Sequence, residues 1–140
     1  MAGTIHVDIV SPEGQLFAGE ANMVFVPGTE GELGIAPRHA PLLTTMHPGV
    51  VRVQIDGQEE QAFYVGGGAL EIQPHRVSVL ADTAARARDL DEAAAQAAVK
   101  AAEEAVRGNK DKIDIAEAQA ELARAVAQLK AVALLRQVKR

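Results

Sequence analysis

The sequence predicts a β-plus-α chain in two parts. Residues 1–86 should form an N-terminal β-sandwich, or flattened barrel, of roughly ten short strands, and residues 87–140 a C-terminal antiparallel α-helical hairpin. Three observations carry this. Apolar residues alternate from Thr4 to about Arg86, and turn signals punctuate that alternation at short intervals. After Arg86 glycine almost vanishes, proline is absent, and alanine dominates from Ala93 to Ala133.

The strand readings follow from the period of two. Ile5, Val7 and Ile9 share one face, as do Met23 with Phe25, and Val51, Val53 and Ile55. Ala62 with Tyr64, Leu70 with Ile72, and Val77 with Val79 continue the pattern. Between these runs stand Ser11-Pro12-Glu13-Gly14, Pro27-Gly28, His47-Pro48-Gly49, Asp56-Gly57, Gly66-Gly67-Gly68 and Pro74-His75. Asp56-Gly57 between alternating segments predicts a hairpin, because that pair tolerates the positive φ of a tight turn. Gly66-Gly67-Gly68 predicts a tight turn or a close backbone approach rather than a phosphate cradle.

The stretch Pro27–Thr45 is too rich in glycine and proline for a helix and too apolar at Leu33, Ile35, Leu42 and Leu43 for a free linker. It reads as a shaped loop pinned to the core on both sides. Glu30, Glu32, Arg38 and His39 are left to face solvent or a partner.

Helix one is expected from near Asp91, capped by Asp89 or Asp91, to about Arg107. Gly108-Asn109 stops it. Helix two starts near Asp114 and runs to about Val138. Along it Ile115, Ala118, Leu122, Ala125, Leu129 and Val132 recur at spacings of three and four, placing one narrow seam on one side. Ala94, Ala98, Ala101 and Ala105 offer a matching row on helix one. Burial is worth about 0.8 kcal/mol per CH₂, so an alanine seam attracts weakly, while alanine is the best intrinsic helix former. The expected hairpin is therefore one that can open without losing its helices.

Composition excludes several functions. Apolar residues make up 48% of the 140, enough for a core, but aromatics only 3%, with no Trp. Stacking platforms for single-stranded nucleic acid need such rings, and the net charge of −5 disfavours a phosphate-binding surface. The absence of cysteine removes disulfides, thiolate metal sites and a Cys nucleophile together. The start, Met1 to His6, has no signal-peptide pattern, and no apolar run approaches the roughly 18 residues of a membrane span. Any membrane link is expected to go through a partner.

The chemistry-bearing residues point away from catalysis. No phosphate-binding G-x-x-x-x-G-K-[ST] motif is present. His6, His39, His47 and His75 are scattered without ligand spacing, so neither metal nor cofactor is expected. Ser11 has no His and acid arranged nearby in sequence as a triad, and Asp89 and Asp91 read as helix caps. Charge is divided: ten acids against four bases in residues 1–86, nine against ten in residues 87–140. From Arg124 onward Lys130, Arg136, Lys139 and Arg140 follow with no acid. Dipole compensation accounts for the last few, but Arg124 and Lys130 lie too far upstream for it. With Arg107, Lys110 and Lys112 at the turn, they suggest a basic arm for an acidic partner.

Several of these segments resemble one family. Gly28, Glu30-Gly31-Glu32-Leu33-Gly34, Pro37 and His39-Ala40-Pro41-Leu42-Leu43-Thr44 resemble the G-x-E-G-E-L/M-G…P-x-H-A-P-L-L-T segment of epsilon subunits of bacterial F-type ATP synthases. The likeness continues through Pro48-Gly49-Val50, Gly66–Glu71, Val79–Ala84, Asp89–Ala93 and Ala120–Ala125. It implies a non-catalytic central-stalk subunit that couples proton-driven rotation of the membrane c-ring to ATP synthesis. The implied partners are the gamma subunit and the c-ring, and the alpha/beta head when the hairpin extends and inhibits ATP hydrolysis. The implied place is peripheral, on the cytoplasmic face of the bacterial inner membrane. By resemblance Ser11, Glu32 and His39, on loops at one end of the sandwich, meet the ring. Arg107, Lys110, Lys112, Arg124 and Lys130 meet the beta subunits. Members that bind ATP carry I/L-D-x-x-R-A at the start of helix one; this chain has Asp91 but Ala94 in place of the arginine. That loss removes a charge-assisted phosphate contact and puts ATP sensing in doubt.

Two alternatives stand beside this reading. One is a stand-alone enzyme or small-ligand binder, which a deep polar pocket in residues 1–86 would favour. The other is the equivalent delta subunit of a mitochondrial enzyme.

Overall fold

The computed structural model describes residues 3–108 and 112–138, with side chains described except at 112–113 and 136–138. Ten strands alternate with turns: β1 (Ile5–Ser11), β2 (Gly14–Ala21), β3 (Met23–Gly28), β4 (Gly31–Ile35), β5 (Leu42–Met46), β6 (Gly49–Gln54), β7 (Gln61–Val65), β8 (Gly68–Gln73), β9 (Arg76–Ala81) and β10 (Ala84–Arg86). A short 3-10 turn, Ala87–Asp89, leads to α1 (Glu92–Gly108) and then α2 (Lys112–Val138).

The strands form one sheet in the order β10-β7-β6-β3-β5-β8-β9-β1-β2, with β4 paired to β3. All neighbours are antiparallel except β1 with β9. β3 and β5 meet only where Gly28 faces Met46, and at that corner the sheet folds into two layers. One layer holds β10, β7, β6, β3 and β4; the other holds β5, β8, β9, β1 and β2. Ile5, Val7, Ile9, Val24, Val26, Val51, Val53, Phe63, Leu70, Ile72, Val77 and Val79 fill the space between them. The two free edges also approach: the Arg86 guanidinium donates to the Leu16 carbonyl at 2.6 Å, and Phe17 meets Phe63 edge-on at 5.8 Å. The result is a sandwich close to a barrel, as the alternation predicts.

Local chemistry explains the turns. Gln58 N–H donates to Ile55 C=O at 3.0 Å, centring a turn on Asp56-Gly57 with Gly57 at φ +80°. Gly68 has φ +136°, and a Cβ there would lie 2.1 Å from the Leu80 carbonyl oxygen. That position requires glycine, and the close-approach reading of the triplet holds.

Two expectations are corrected, and the face of a third is now fixed. Pro27–Thr45 is not all loop, since it contains β4 and most of β5, and Leu43 is 73% exposed instead of anchoring it. The run is short and glycine-rich, which hides its alternation. Met23 and Phe25 share a face, but it is the outer one; Val24 and Val26 point into the core. On α1 the buried residues are Ala95 and Ala102, with Val99 and Val106 half-buried, while Ala94, Ala98, Ala101 and Ala105 are exposed. Alanines on every side cannot set the phase of a helix. The larger valines bury more apolar surface and do.

Candidate functional site: the hairpin seat and the partner-facing loops

α2 packs on two sides. Its expected seam is buried at Ala118 and Ala125 and half-buried at Ile115, Leu122, Leu129 and Val132, and α1 packs along the helix. A second stripe, Ala127, Ala131 and Leu135, joins Tyr64, Val50, Ala62, Ala85, Ala87 and Leu90 in a separate apolar cluster outside the β6–β7 layer. The seat exists because β6 and β7 are apolar on both faces: Val51 and Phe63 point to the core, Val50 and Tyr64 to α2. Small alanines let the helix approach the sheet closely, but each contributes little burial. The docked hairpin is thus held by a modest interface separate from the sandwich core.

Asp91 begins α1 as a cap. Its Oδ1 accepts from the Ala93 N–H at 3.0 Å, and its C=O accepts from the Ala95 N–H at 2.9 Å. Ala94 is exposed on the first turn and brings no charge to it.

Two clefts open where the hairpin meets the sandwich. One, of about 640 Å³, lies under both helices and is lined by Tyr64, Thr83, Ala98, Glu121, Arg124 and Gln128. The other, of about 490 Å³, lies between α2 and the β6–β4 flank and includes Glu32, Arg52, Val126, Lys130 and Leu134. Arg124 is half-buried in the first and Lys130 exposed beside the second. Arg107 is exposed near the end of α1, 3.7 Å from Glu103. Lys110 lies outside the described residues, as does the side chain of Lys112, whose backbone starts α2.

The loop candidates do not form one cluster. Ser11 is buried at the end of β1 and donates to the Gly14 carbonyl at 3.4 Å. The parallel register brings Val10 beside Leu80, so Ser11 stands at the Leu80 end of β9. His39 follows Arg38, whose N–H donates to the Pro74 carbonyl at 2.8 Å, at the opposite end of β9. Ser11 and His39 therefore do not share an end of these strands. Glu32 sits on β4 across from Pro27, near the Gly28–Met46 corner.

One residue that sequence reasoning missed organises Glu32. The Arg52 guanidinium lies 4.1 Å from the centre of the Phe25 ring. It donates to Glu60 Oε1 at 3.2 Å and to Glu32 Oε1 at 3.3 Å. A lone arginine on an alternating strand gives no sign of this in the sequence, because its partners come from β4 and the β6–β7 loop. On the other layer Asp8, almost buried, is contacted by Arg76, His6 and Gln15. Burial alone would raise its carboxyl, but hydrogen bonds from Arg76 and His6 outweigh that and hold it below the ordinary 3.8.

The geometry is that of a two-layer base around one apolar core, a helical arm seated on a separate small cluster, and charged side chains on loops and helix flanks. The comparisons agree. Residues 4–87 match the ATP synthase Delta/Epsilon chain beta-sandwich domain and residues 88–133 its long alpha-helix domain. The chain is 58% identical over 130 residues to the ATP synthase epsilon chain 1 of Methylococcus capsulatus, covering 93% of each. It is 58% identical over 134 residues to the ATP synthase epsilon chain of Halorhodospira halophila, covering 95% of each. A chain in the Euglena gracilis mitochondrial ATP synthase structure (OSCP/F1/c-ring) has the same fold, with TM-score 0.80 at 16% identity, over 94% of this chain and 81% of that one. The chain belongs to the ATP synthase delta/epsilon family, whose epsilon members are non-catalytic subunits of the complex.

Proposed function

We propose that the chain works as the epsilon subunit of a central stalk, transmitting rotation of the c-ring to the catalytic head while its hairpin restrains ATP hydrolysis. The observation that carries this is the contrast between the two attachments. The sandwich is closed around a full core, whereas α2 rests on β6 and β7 mainly through Ala127, Ala131 and Leu135. A rigid base suits torque; a lightly held arm suits a brake.

The gamma subunit has a natural place on the second layer. α2 covers the outside of the first, while Leu43 and Leu80 stand 73% and 52% exposed on β5 and β9. Glu32 is the leading candidate for the ring. Because Ser11 and His39 stand at opposite ends of the strands, an end-on ring contact includes only one of them. Lys130, Arg107, Lys110, Lys112 and Arg124 are the candidates for the beta subunits once the arm extends, and Arg124 becomes available only when its cleft opens. The protein then sits at the cytoplasmic face of the membrane through the complex; no helix among the described residues is long and apolar enough to cross it.

Deleting residues 87–140 tests the reading. Assembly and coupling should persist while basal ATP hydrolysis rises several-fold, and unchanged hydrolysis would retire the inhibitory role. Co-isolation of the full chain with gamma and the c-ring from membranes tests the rest. Finding none would retire the stalk assignment.

A further inference from the structure

We propose that Glu32, Arg52 and Glu60 form a cluster with surplus negative charge that attracts Lys130 and so helps hold α2 on the sandwich, and that a partner engaging Glu32 thereby loosens the hairpin. The relevance of the last step rests on the reading of Glu32 as a ring contact. The electrostatic linkage itself stands on the groove's geometry.

Arg52 projects outward from β6 between the core residues Val51 and Val53. It is fixed from below by the Phe25 ring and from two sides by carboxylates. The two acids are held unequally. Glu60 also accepts from Gln54 Nε2 at 3.0 Å and its side chain is 21% exposed, whereas among the described residues Glu32 is held by Arg52 and is 57% exposed. One guanidinium facing two carboxylates leaves a surplus of one negative charge. Glu32 is the member that can be taken away.

Glu32 and Arg52 line the same groove as Lys130, with Val126 and Leu134 of α2 beside it. Among the described residues Lys130 makes no ion pair within 4.0 Å. The other titratable group in the groove is His47, whose Nδ1 is engaged with the Pro48 carbonyl oxygen at 2.8 Å. Glu59, Arg86 and Arg88 line a separate cleft with Glu60. Lys130 therefore shares its groove with Glu32 and Arg52, and Glu60, paired to the same guanidinium, supplies the surplus charge from the neighbouring cleft. When a cationic group of a partner recruits Glu32, that carboxylate is neutralised by the partner, Arg52 is left balanced by Glu60, and Lys130 loses its attraction. Because α2 is otherwise seated on alanines, a small change shifts its docking. Linkage makes the effect reciprocal: a docked hairpin disfavours removal of Glu32.

A double-mutant cycle on the isolated full-length chain tests this. Spin labels at Glu104→Cys on α1 and Gln58→Cys on the β6–β7 loop report docked and open populations by distance. At low salt Glu32→Gln and Lys130→Gln should each raise the open-to-docked ratio about two- to fivefold, the range of an exposed ion pair. The double variant should open no further than either single one. At 1 M salt, where screening acts within about 3 Å, the differences should vanish. Glu71→Gln, on the other layer, should change nothing. An unchanged ratio for Glu32→Gln, or effects of the two variants that simply multiply, would overturn the proposal. The outcome is independent of the ring contact, which cross-linking of Glu32→Cys in the membrane complex reports separately.

Discussion

Ala131 of α2, fully buried, packs in one apolar cluster with Tyr64 of β7, which is itself almost fully buried. The smallest side chain able to pack meets an aromatic ring at the seat of the hairpin. Enlarging it should cost about 1–3 kcal/mol by overpacking. Because this cluster is separate from the sandwich core, Ala131→Leu should undock the helices without unfolding the strands. The chain has one Tyr and no Trp, so tyrosine emission reports the event directly. Strand amides should keep their hydrogen-exchange protection.

The phase of α1 is testable by paired truncation and insertion. Val99→Ala removes apolar surface from the buried side and should lower the stability of the helix pair by about 1 kcal/mol. Ala97→Ser, on the exposed side away from the cleft, should stay within about 0.5 kcal/mol of the parent. Thermal melts of helical circular dichroism distinguish the two.

Gly68→Ala should be the most damaging small substitution in the sandwich. The added methyl would lie against the Leu80 carbonyl, and the backbone sits at φ +136°. Overpacking of about 1–3 kcal/mol adds to the conformational strain. Urea unfolding should show a lower midpoint with an unchanged slope.

Asp8 makes stability depend on pH in a defined direction. Its carboxyl is lower in the folded chain than its ordinary 3.8, so the unfolded chain binds the proton more readily. The stabilisation is fully present above about pH 4–5 and is lost as pH falls through the folded value. Asp8→Asn should flatten the acid limb of the stability–pH profile and cost about 1–3 kcal/mol at pH 7. A parallel acid limb in the variant would show that other carboxylates set it.

Ala94 stands at the position where ATP-binding relatives are expected to carry an arginine. Equilibrium dialysis of the isolated chain should show weak ATP binding. Ala94→Arg should tighten it about tenfold if one charge-assisted phosphate contact is restored.

Much of the fold was legible in the residues themselves. Ile5-Val7-Ile9 and Val77-Val79 declare their core face by strict alternation, and Asp56-Gly57 and Gly66-Gly67-Gly68 declare turns that only such residues permit. The two-sided burial of β7 has its sign in the run Phe63-Tyr64-Val65, though alternation alone did not single it out. The phase of α1 was not legible, because alanine surrounds the helix. Nor was the role of Arg52: Glu60 reaches it through the β6–β7 hairpin, but Glu32 becomes a neighbour only after β3 takes β4 on one side and β6 on the other. Glu32 and His39 were identifiable as polar leftovers and Ser11 only through the family resemblance, but the separation of Ser11 from His39 depends on the parallel register of β1 with β9.

That parallel pair also sets an order of events during synthesis. His6 pairs with Arg76 and Val10 with Leu80, so β1 has no inner neighbour until β9 is made. Until then β1 and β2 are a bare ribbon, exposed to chaperones and to other nascent chains. The helices need only partners close by in sequence and form quickly, but their seat on β6 and β7 matures with the sandwich. A truncated message ending before residue 80 should therefore yield an aggregation-prone fragment rather than a smaller working domain.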